Sequence, residues 1–194
     1  MMEIILIRHG KTSANEKRLY CGRTDLPLSE AGALEIAALK SGGIYPPADV
    51  YFTSGLLRCE QTLDIIHGEV KRKAVPELAE CNFGRFELKS YEQLKDQDDY
   101  QSWITDETGD FPCPGGESRN QFDRRALGGF EAILSEVRQG AFGSAFVVCH
   151  GGTIVSIMEC LCPNTRNFYE WQPGPGRGYA LVYVSGRFQA YRDI

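Results

Sequence analysis

The chain of 194 residues lacks the features that mark membrane, secreted and nucleic-acid-binding proteins. No apolar run approaches the roughly 20 residues of a membrane-spanning helix, so we expect no transmembrane segment. Met1-Met2-Glu3 supplies no basic start and leads into only four aliphatic residues, so we expect no signal peptide. Because the net charge is −5, we expect neither nucleic acid nor an anionic membrane to be a partner.

Cysteine is present, but not in a pattern that forms disulfides or a metal site. There are seven cysteines, an odd number at irregular spacing, which predicts reduced thiols in the cytoplasm. Cys160-Leu161-Cys162 resembles half of a zinc site, but no second pair completes it, so we predict no metal and no cofactor. Cys59, Cys81 and Cys149 adjoin candidate site residues. We interpret them as small apolar packing residues, with oxidation of the cleft as the alternative.

Strand and helix patterns alternate along most of the chain. Short β-branched runs predict strands, and apolar residues three or four apart predict helices. Ser29 and the Ser118/Gln121 pair are typical of helix starts. The predicted strands cover residues 4–7, 50–53, 73–75, 145–149, 179–184 and 187–191, and the predicted helices start after Ser29 and Ser118 or cover residues 55–67, 91–103 and 153–161. This alternation predicts a layered α/β sheet in a single domain, residues 1–194, with a cap-like excursion at about 81–117.

Two of the three histidines follow predicted strands, and each is followed by glycine. They occur in Arg8-His9-Gly10 and in His150-Gly151-Gly152. Ligands of open parallel sheets bind beyond the carboxyl ends of the strands, so we expect both imidazoles to point into one cleft. The third histidine, His67, ends a predicted helix, and we interpret it as a partner for the helix dipole.

Further polar residues follow the same strands and suggest an anion pocket. Thr12 and Asn15 come soon after the first histidine, and Arg58 lies in the first turn of a helix after the second strand. The planar fork of arginine suits phosphate oxygens, and backbone N–H groups at helix starts add donors. Together with Arg8 and the two histidines, these residues predict a pocket for a tetrahedral dianion.

The chain resembles the histidine phosphatase superfamily, whose folds are phosphoglycerate-mutase-like. Matching segments lie in order at residues 6–15, 20–29, 54–62, 77–87 and 147–152. The long match at 20–29, with further matches at 83–87 and 114–118, is most similar to the α-ribazole phosphatase branch. The resemblance implies a three-layer sandwich with a mostly parallel central sheet and helices on both faces. It also implies a metal-independent phosphomonoesterase whose substrate is a small organic phosphate, and α-ribazole phosphate is one such ester.

The resemblance also implies roles for individual residues. His9 takes the phosphoryl group, and Glu80 falls on the general-acid position. Arg8, Arg58 and His150 complete the catalytic set. Substrate-binding residues are expected to be Arg8, Asn15, Thr12, Cys21, Gly22, Arg58, His150 and Gly151.

The sequence departs from the family pattern at one point, and two alternative functions remain open. Leu88-Lys89 stands where many relatives have glycine, which puts substrate preference in doubt. A phosphoglycerate-type mutase is the nearest alternative, although the chain is short for that role. A non-catalytic module that binds phosphorylated ligands is the alternative from another class. We expect a monomer or homodimer acting on a small phosphate ester.

Overall fold

The computed structural model describes residues 1–194, and a six-stranded sheet forms its centre. The strands are β1 (Met2–Arg8), β2 (Val50–Thr53), β3 (Arg72–Ala74), β4 (Ser144–Cys149), β5 (Gly178–Val184) and β6 (Arg187–Asp193). Their order is β3-β2-β4-β1-β5-β6. The first four strands in this order run parallel, while β5 and β6 pair antiparallel at the other edge. The prediction of a mostly parallel sheet is confirmed.

Eight α-helices and two 3-10 turns surround the sheet. The helices are α1 (Ser13–Glu16), α2 (Glu30–Ser41), α3 (Leu57–His67), α4 (Tyr91–Leu94), α5 (Asp98–Ile104), α6 (Arg119–Gln139), α7 (Gly151–Leu161) and α8 (Phe168–Trp171), and the 3-10 turns cover Pro76–Leu78 and Gly84–Phe86. None of the helices combines the length and the apolar composition needed to cross a lipid bilayer.

Alternate residues of the central strands pack into two separate cores. In β1, Ile4 and Leu6 belong to the core that also contains Ile133 of α6, whereas Ile5 and Ile7 belong to the core formed with α2 and α3. Successive side chains of a strand point to opposite faces, so a fully apolar strand must be covered on both sides. This packing produces the predicted three layers, and it fixes β1 and β4 side by side at the centre.

Two predicted helix starts are confirmed. The hydroxyl of Ser29 accepts the N–H of Gly32 at 3.1 Å, and Ser118 forms a reciprocal capping box with Gln121. Helix α3, however, begins two residues later than predicted. Gly55 has φ +83°, a left-handed conformation that cannot continue into a right-handed helix, so the chain turns there first.

The segment between Glu80 and Ser118 forms a small layer of its own. Its core consists of Phe86, Leu94, Tyr100 and Cys113. The helix predicted over residues 91–103 is wrong as one element, because α4 ends at Leu94 and α5 starts at Asp98. Acidic residues at 98 and 99 stabilise a new helix N-terminus, which favours two short helices over one long helix.

Candidate active site

The candidate site lies where the central strands β1 and β4 end. His9 directly follows β1, and His150 directly follows β4 and is the N-cap residue of α7. Since these strands are parallel neighbours, with Arg8 opposite Cys149, their carboxyl ends meet at the same edge of the sheet. The imidazole centroids are 5.0 Å apart. The structure therefore brings the two histidines into one cleft.

His9 is held in the form that a nucleophile needs. Its Nδ1 lies 2.6 Å from the carbonyl oxygen of Gly10. Because a carbonyl can only accept, Nδ1 carries the proton and Nε2 keeps its lone pair. Burial, followed by the charges of Arg58 and Arg8, lowers the pKa of His9 to about 3, and only the Gly10 hydrogen bond opposes this shift. The imidazole is thus neutral at physiological pH.

Thr62, which the sequence did not suggest as a site residue, fixes the backbone beside this histidine. Its hydroxyl accepts the N–H of Gly10 at 3.0 Å and donates to the carbonyl of Arg58 at 2.7 Å. The spacing of four residues between Arg58 and Thr62 places both on one face of α3. Helical periodicity was therefore the signal that could have identified this residue.

Arg58 is a completely buried cation without an anionic partner, with 0% of its surface exposed. Its guanidinium donates to the carbonyls of Thr24 at 2.9 Å and Gly22 at 2.7 Å, and Nη2 lies 3.2 Å from Nδ1 of His150. The remaining Nε is buried without any hydrogen-bond partner. A buried charge is costly unless an ion of opposite sign compensates it, so this arrangement favours an anionic ligand.

His150 is neutral and oriented by two neighbours. Arginine can only donate, so Nδ1 of His150 accepts from Arg58, and Nε2 donates to the hydroxyl of Ser54 at 2.8 Å. Burial and the charge of Arg58, with smaller effects from His9 and Arg8, lower the pKa of His150 well below its ordinary value. The ring therefore adds no positive charge to the cleft.

Arg8 supplies the second guanidinium. Its Nη1 donates to the carbonyl of Pro173 at 2.8 Å, while its Nε is buried without a partner, like the Nε of Arg58. Burial lowers the pKa of Arg8, and the nearby charge of Glu80 partly offsets this effect. Arginine remains protonated in proteins, so the two guanidinium groups place two positive charges beside the neutral His9.

Glu80 reaches the same cleft from the loop after the 3-10 turn. One carboxylate oxygen accepts the N–H of Gly152 at 3.0 Å, and the other accepts the N–H of Cys81 at 3.0 Å. Gly152 lies in the first turn of α7, where backbone N–H groups have no partner within the helix. The carboxylate is thus held against the helix that follows His150.

The other predicted binding residues divide into two groups. Asn15 and Cys21 line the cavity, and Gly151 is the first residue of α7. In contrast, the hydroxyl of Thr12 caps α1 through its bonds with Asn15, and the N–H of Gly22 donates to Glu87 at 3.0 Å. The Thr12 hydroxyl and the Gly22 N–H are therefore engaged with protein partners.

Glu87 organises the loop that receives Arg58, a role the sequence did not suggest. Its carboxylate accepts the N–H groups of Gly22, Arg23 and Thr24, and also the hydroxyl of Thr24 at 2.7 Å. These bonds orient the carbonyls of residues 22 and 24 toward the guanidinium of Arg58. No periodicity or spacing could identify this role of Glu87, because residues 22 to 24 lie more than sixty residues earlier in the chain.

A cavity of about 670 Å³ extends outward from this site. Its inner end is formed by Arg8, Asn15, Glu80 and Gly152. The outer part has an aromatic wall and an acidic rim. The wall consists of Tyr20, Phe83, Trp103, Phe122, Phe168 and Tyr169, and the rim of Asp106 and Glu107. The cavity therefore offers two environments, a cationic inner end and an aromatic, acidic outer part.

Known proteins share both the sequence pattern and the fold. A sequence profile of the histidine phosphatase superfamily (branch 1) matches residues 4–191. A 2,3-bisphosphoglycerate-dependent phosphoglycerate mutase of Bradyrhizobium diazoefficiens is 31% identical over 82% of this chain and 82% of its own. An adenosylcobalamin/alpha-ribazole phosphatase of Salmonella typhimurium is 33% identical over 80% of this chain and 73% of its own.

Similarity to solved structures extends over nearly the whole chain. The crystal structure of the alpha-ribazole phosphatase from Shigella flexneri superimposes with a TM-score of 0.82 and 25% identity, covering 96% of this chain and 93% of that one. The predicted fold class is confirmed by this agreement.

Proposed function

The chain belongs to branch 1 of the histidine phosphatase superfamily, and we propose that it hydrolyses a small phosphate monoester through a phosphohistidine on His9. The observation that carries this proposal is the pairing of a neutral, buried His9 with Arg58, a buried cation that has no anionic partner. A phosphate dianion bound between them would compensate the charge and present phosphorus to the free Nε2.

In the first step, the lone pair on Nε2 of His9 attacks phosphorus, and the bond from phosphorus to the ester oxygen breaks. The Nδ1–H bond to Gly10 keeps the ring in the reactive tautomer and stabilises the positive charge that forms on it. Glu80, which reaches the same cleft, gives its proton to the departing oxygen, so that an alcohol and not an alkoxide leaves.

Charge that develops on the transferring phosphoryl group is stabilised by donors already in place. Arg8 and Arg58 each hold a buried Nε without a protein partner, and the Nε atoms are therefore available to equatorial oxygens. Asn15 accepts both donors of Thr12 with its Oδ1, which leaves its amide group as a neutral donor at the cavity wall. His150 acts on this set through Arg58, because its Nδ1 accepts from Nη2 and so orients the guanidinium beside His9.

In the second step, water attacks the phosphohistidine and the bond from phosphorus to Nε2 breaks. The carboxylate of Glu80, ionised by the first step, accepts a proton from the attacking water. His9 returns to its neutral form and inorganic phosphate leaves. The sum of the two steps is hydrolysis of a monoester to an alcohol and phosphate, with the acid and the nucleophile restored.

The outer cavity favours hydrolysis over a mutase reaction. A phosphoglycerate carries a carboxylate beside its phosphate, and a mutase must hold this second anion. In the outer part of this cavity, the only cation is Arg119, which is paired with Asp123 at 2.7 Å and Glu159 at 2.5 Å. Asp106 and Glu107 add negative charge at the rim. A second anionic group on the substrate would therefore meet repulsion there.

A nucleoside-like alcohol suits the aromatic wall, so we propose α-ribazole phosphate as one candidate substrate. Tyr20, Phe83 and Trp103 pack with ring centroids 5.1 to 6.0 Å apart, which leaves a rigid aromatic surface beside the phosphate site. Such surfaces stack heteroaromatic rings favourably. The similarity to two alpha-ribazole phosphatases supports the same choice.

We further propose that the enzyme works in the cytoplasm, without metal, as a monomer or homodimer. All seven cysteines are free thiols, which suits a reducing compartment. No three His, Cys, Asp or Glu side chains are grouped as metal ligands. Activity that is unchanged by a chelator would support the metal-independent reaction.

The decisive experiment is a screen of phosphate monoesters in the presence of a chelator, with His9→Ala beside the wild type. We expect phosphate release by the wild type and a loss of several orders of magnitude in the variant. Release of an isomeric phosphate ester in place of inorganic phosphate would favour a mutase. Binding of esters without any turnover would favour a non-catalytic module and overturn the proposal.

A further inference from the structure

The loop that carries Glu80 depends on a distant arginine for its shape. Arg125 of α6 donates to three successive parts of this loop: to the carbonyls of Glu77 at 2.6 Å, Ala79 at 2.9 Å and Glu80 at 3.3 Å. The loop has only one 3-10 turn, at Pro76–Leu78, so few of its carbonyls are used by regular structure. The guanidinium therefore supplies donors that the backbone itself lacks.

Glu117 holds Arg125 in place and binds the loop from its other end. Nε and Nη2 of Arg125 each lie 2.7 Å from one oxygen of the Glu117 carboxylate, which is a bidentate pair. The same carboxylate accepts the N–H of Asn82 at 2.8 Å, and the N–H of Glu117 donates to the carbonyl of Asn82 at 2.8 Å. Glu117 is thus bonded both to the arginine and to the chain just after Glu80.

Both side chains of this pair are largely buried, with 18% exposure each. Burial raises the pKa of Glu117, but the hydrogen bonds from Arg125 and from the Asn82 N–H lower it more, so the net shift is downward. Charge-assisted bidentate pairs in such surroundings have little freedom to change geometry. Backbone groups on both sides of Glu80 are therefore bound to one rigid unit.

Close packing of α6 on the loop fixes the distance between them. A methyl group at Gly129 would lie 2.7 Å from Cβ of Glu77, so α6 can approach the loop this closely only because residue 129 is glycine. Arg125 lies one helical turn before Gly129 and faces the same loop. The helix thus sets the position from which its arginine reaches the three carbonyls.

We infer that Arg125 and Glu117 are positioning residues for Glu80: they hold its loop so that the carboxyl group can protonate the departing oxygen. The inference rests on the proposed function, in which Glu80 is the general acid. The Arg125 guanidinium is engaged by the loop carbonyls and by Glu117, and the Glu117 carboxylate by Arg125 and the Asn82 N–H, so neither side chain is expected to touch substrate. Substitution of either residue should therefore slow the reaction of esters whose leaving group needs a proton, and should not weaken the binding of phosphate.

Two substrates with different leaving groups distinguish a defect in proton donation from a defect in phosphate binding. The p-nitrophenolate of p-nitrophenyl phosphate is stable at neutral pH, so its departure needs little help from an acid. The alkoxide of glycerol 3-phosphate is a poor leaving group and needs a proton. General acid catalysis contributes about 10²- to 10⁴-fold, so loss of the acid's position should affect the alkyl ester selectively.

The experiment measures kcat/KM on both esters for the wild type, Arg125→Met, Arg125→Lys, Glu117→Gln and Glu80→Gln. Arg124→Met is the matched control, because Arg124 is the neighbouring arginine and its side chain is exposed on α6. Retained activity on p-nitrophenyl phosphate, together with an unchanged circular dichroism spectrum, shows that each variant is folded.

We expect Arg125→Met to lose about 10²-fold on the alkyl ester and less than about 5-fold on p-nitrophenyl phosphate, the pattern of Glu80→Gln. Arg125→Lys should recover part of the loss, and Arg124→Met should match the wild type. An equal loss on both esters, or no loss on the alkyl ester, would overturn the inference while leaving the proposed function intact. A wild type that releases phosphate from none of the esters in the screen would overturn the proposed function, and the inference with it.

Discussion

The carboxylate of Glu80 accepts the backbone N–H of Gly152 at 3.0 Å, which joins the candidate acid to the helix that begins after His150. A side chain at position 152 would occupy the same space, since a methyl group there would overlap Oε1 of Glu80. The glycine is needed for this close approach and not for an unusual backbone angle, because its φ is not positive.

Gly152→Ala should therefore displace the acid without removing it. We expect kcat/KM on an alkyl phosphate to fall by about 10²-fold, with a much smaller effect on p-nitrophenyl phosphate. Steady-state kinetics on both esters measure the change. Gly128→Ala is the control, because a methyl group at Gly128 meets nothing within 4 Å and lies in helix α6. If both variants kept full activity on the alkyl ester, this placement of the acid would be wrong.

The lowered pKa of His9 predicts how stability depends on pH. The pKa is about 3 in the folded chain and has an ordinary value of 6.5 when the chain unfolds. Between these values the unfolded state binds a proton that the folded state does not, so the free energy of unfolding falls as the pH decreases through this window. His150 shifts in the same direction and adds to the effect.

Urea denaturation of the wild type and of His9→Gln at about pH 7 and about pH 5 tests this. From about pH 7 to about pH 5, the free energy of unfolding should fall by about 2 kcal/mol more in the wild type than in the variant, because the variant lacks the imidazole of His9 that titrates in this range. Parallel pH dependence in the two proteins would show that folding does not lower the pKa of His9.

Leu88 is predicted to strain the backbone. Its φ is +57°, in the left-handed region that glycine adopts without cost. The family resemblance stated for the sequence implies a glycine at this position. Leu88→Gly should raise the free energy of unfolding by up to about 1 kcal/mol. The matched comparison is Leu34→Gly, an exposed position inside helix α2, which should lower it by a similar amount. Destabilisation by both substitutions would contradict the prediction.

Glu87 should contribute to both stability and substrate binding. Glu87→Gln removes the charge from a group that accepts donors from residues 22 to 24, and we expect a loss of about 1–3 kcal/mol in the free energy of unfolding. The carbonyls that hold Arg58 would move, so KM should rise. Glu69→Gln, at an exposed position, should change neither quantity. An unchanged KM in Glu87→Gln would show that the loop of residues 22 to 24 does not contribute to substrate binding.

The strands and the long helices could be predicted because their signals are local. The continuous apolar run of β1 predicts a strand that is buried on both faces, and the apolar stripe from Phe122 to Val137 of α6 is buried against the sheet. The position of the short helices could not be predicted. α1 depends on the capping box of Thr12, and α8 on that of Asn167, and neither has an apolar repeat long enough to be recognised.

Within the site, residues that follow strands were predictable and those that support them were not. His9 and His150 each follow one of two adjacent parallel strands, so the pairing of the strands alone brings them together. Glu87 and Arg125 act through backbone groups of distant segments, and backbone partners leave no trace in a residue pattern. The sequence favours His67 as a partner for the helix dipole, and His67 does end α3. Burial and the charge of Lys40 lower its pKa, however, and its ring packs on Phe146, so it adds little positive charge at the helix end.

The central claim is that His9 carries the phosphoryl group, and trapping that intermediate tests it most directly. Rapid quenching in alkali during turnover of a phosphate monoester, followed by peptide mass spectrometry, should find one phosphoryl group on the peptide that contains His9. This phosphoryl group should be lost in acid, as expected for phosphorus bonded to nitrogen, and should be absent from His9→Ala. A phosphoryl group on another residue, or turnover that persists in His9→Ala, would contradict the account.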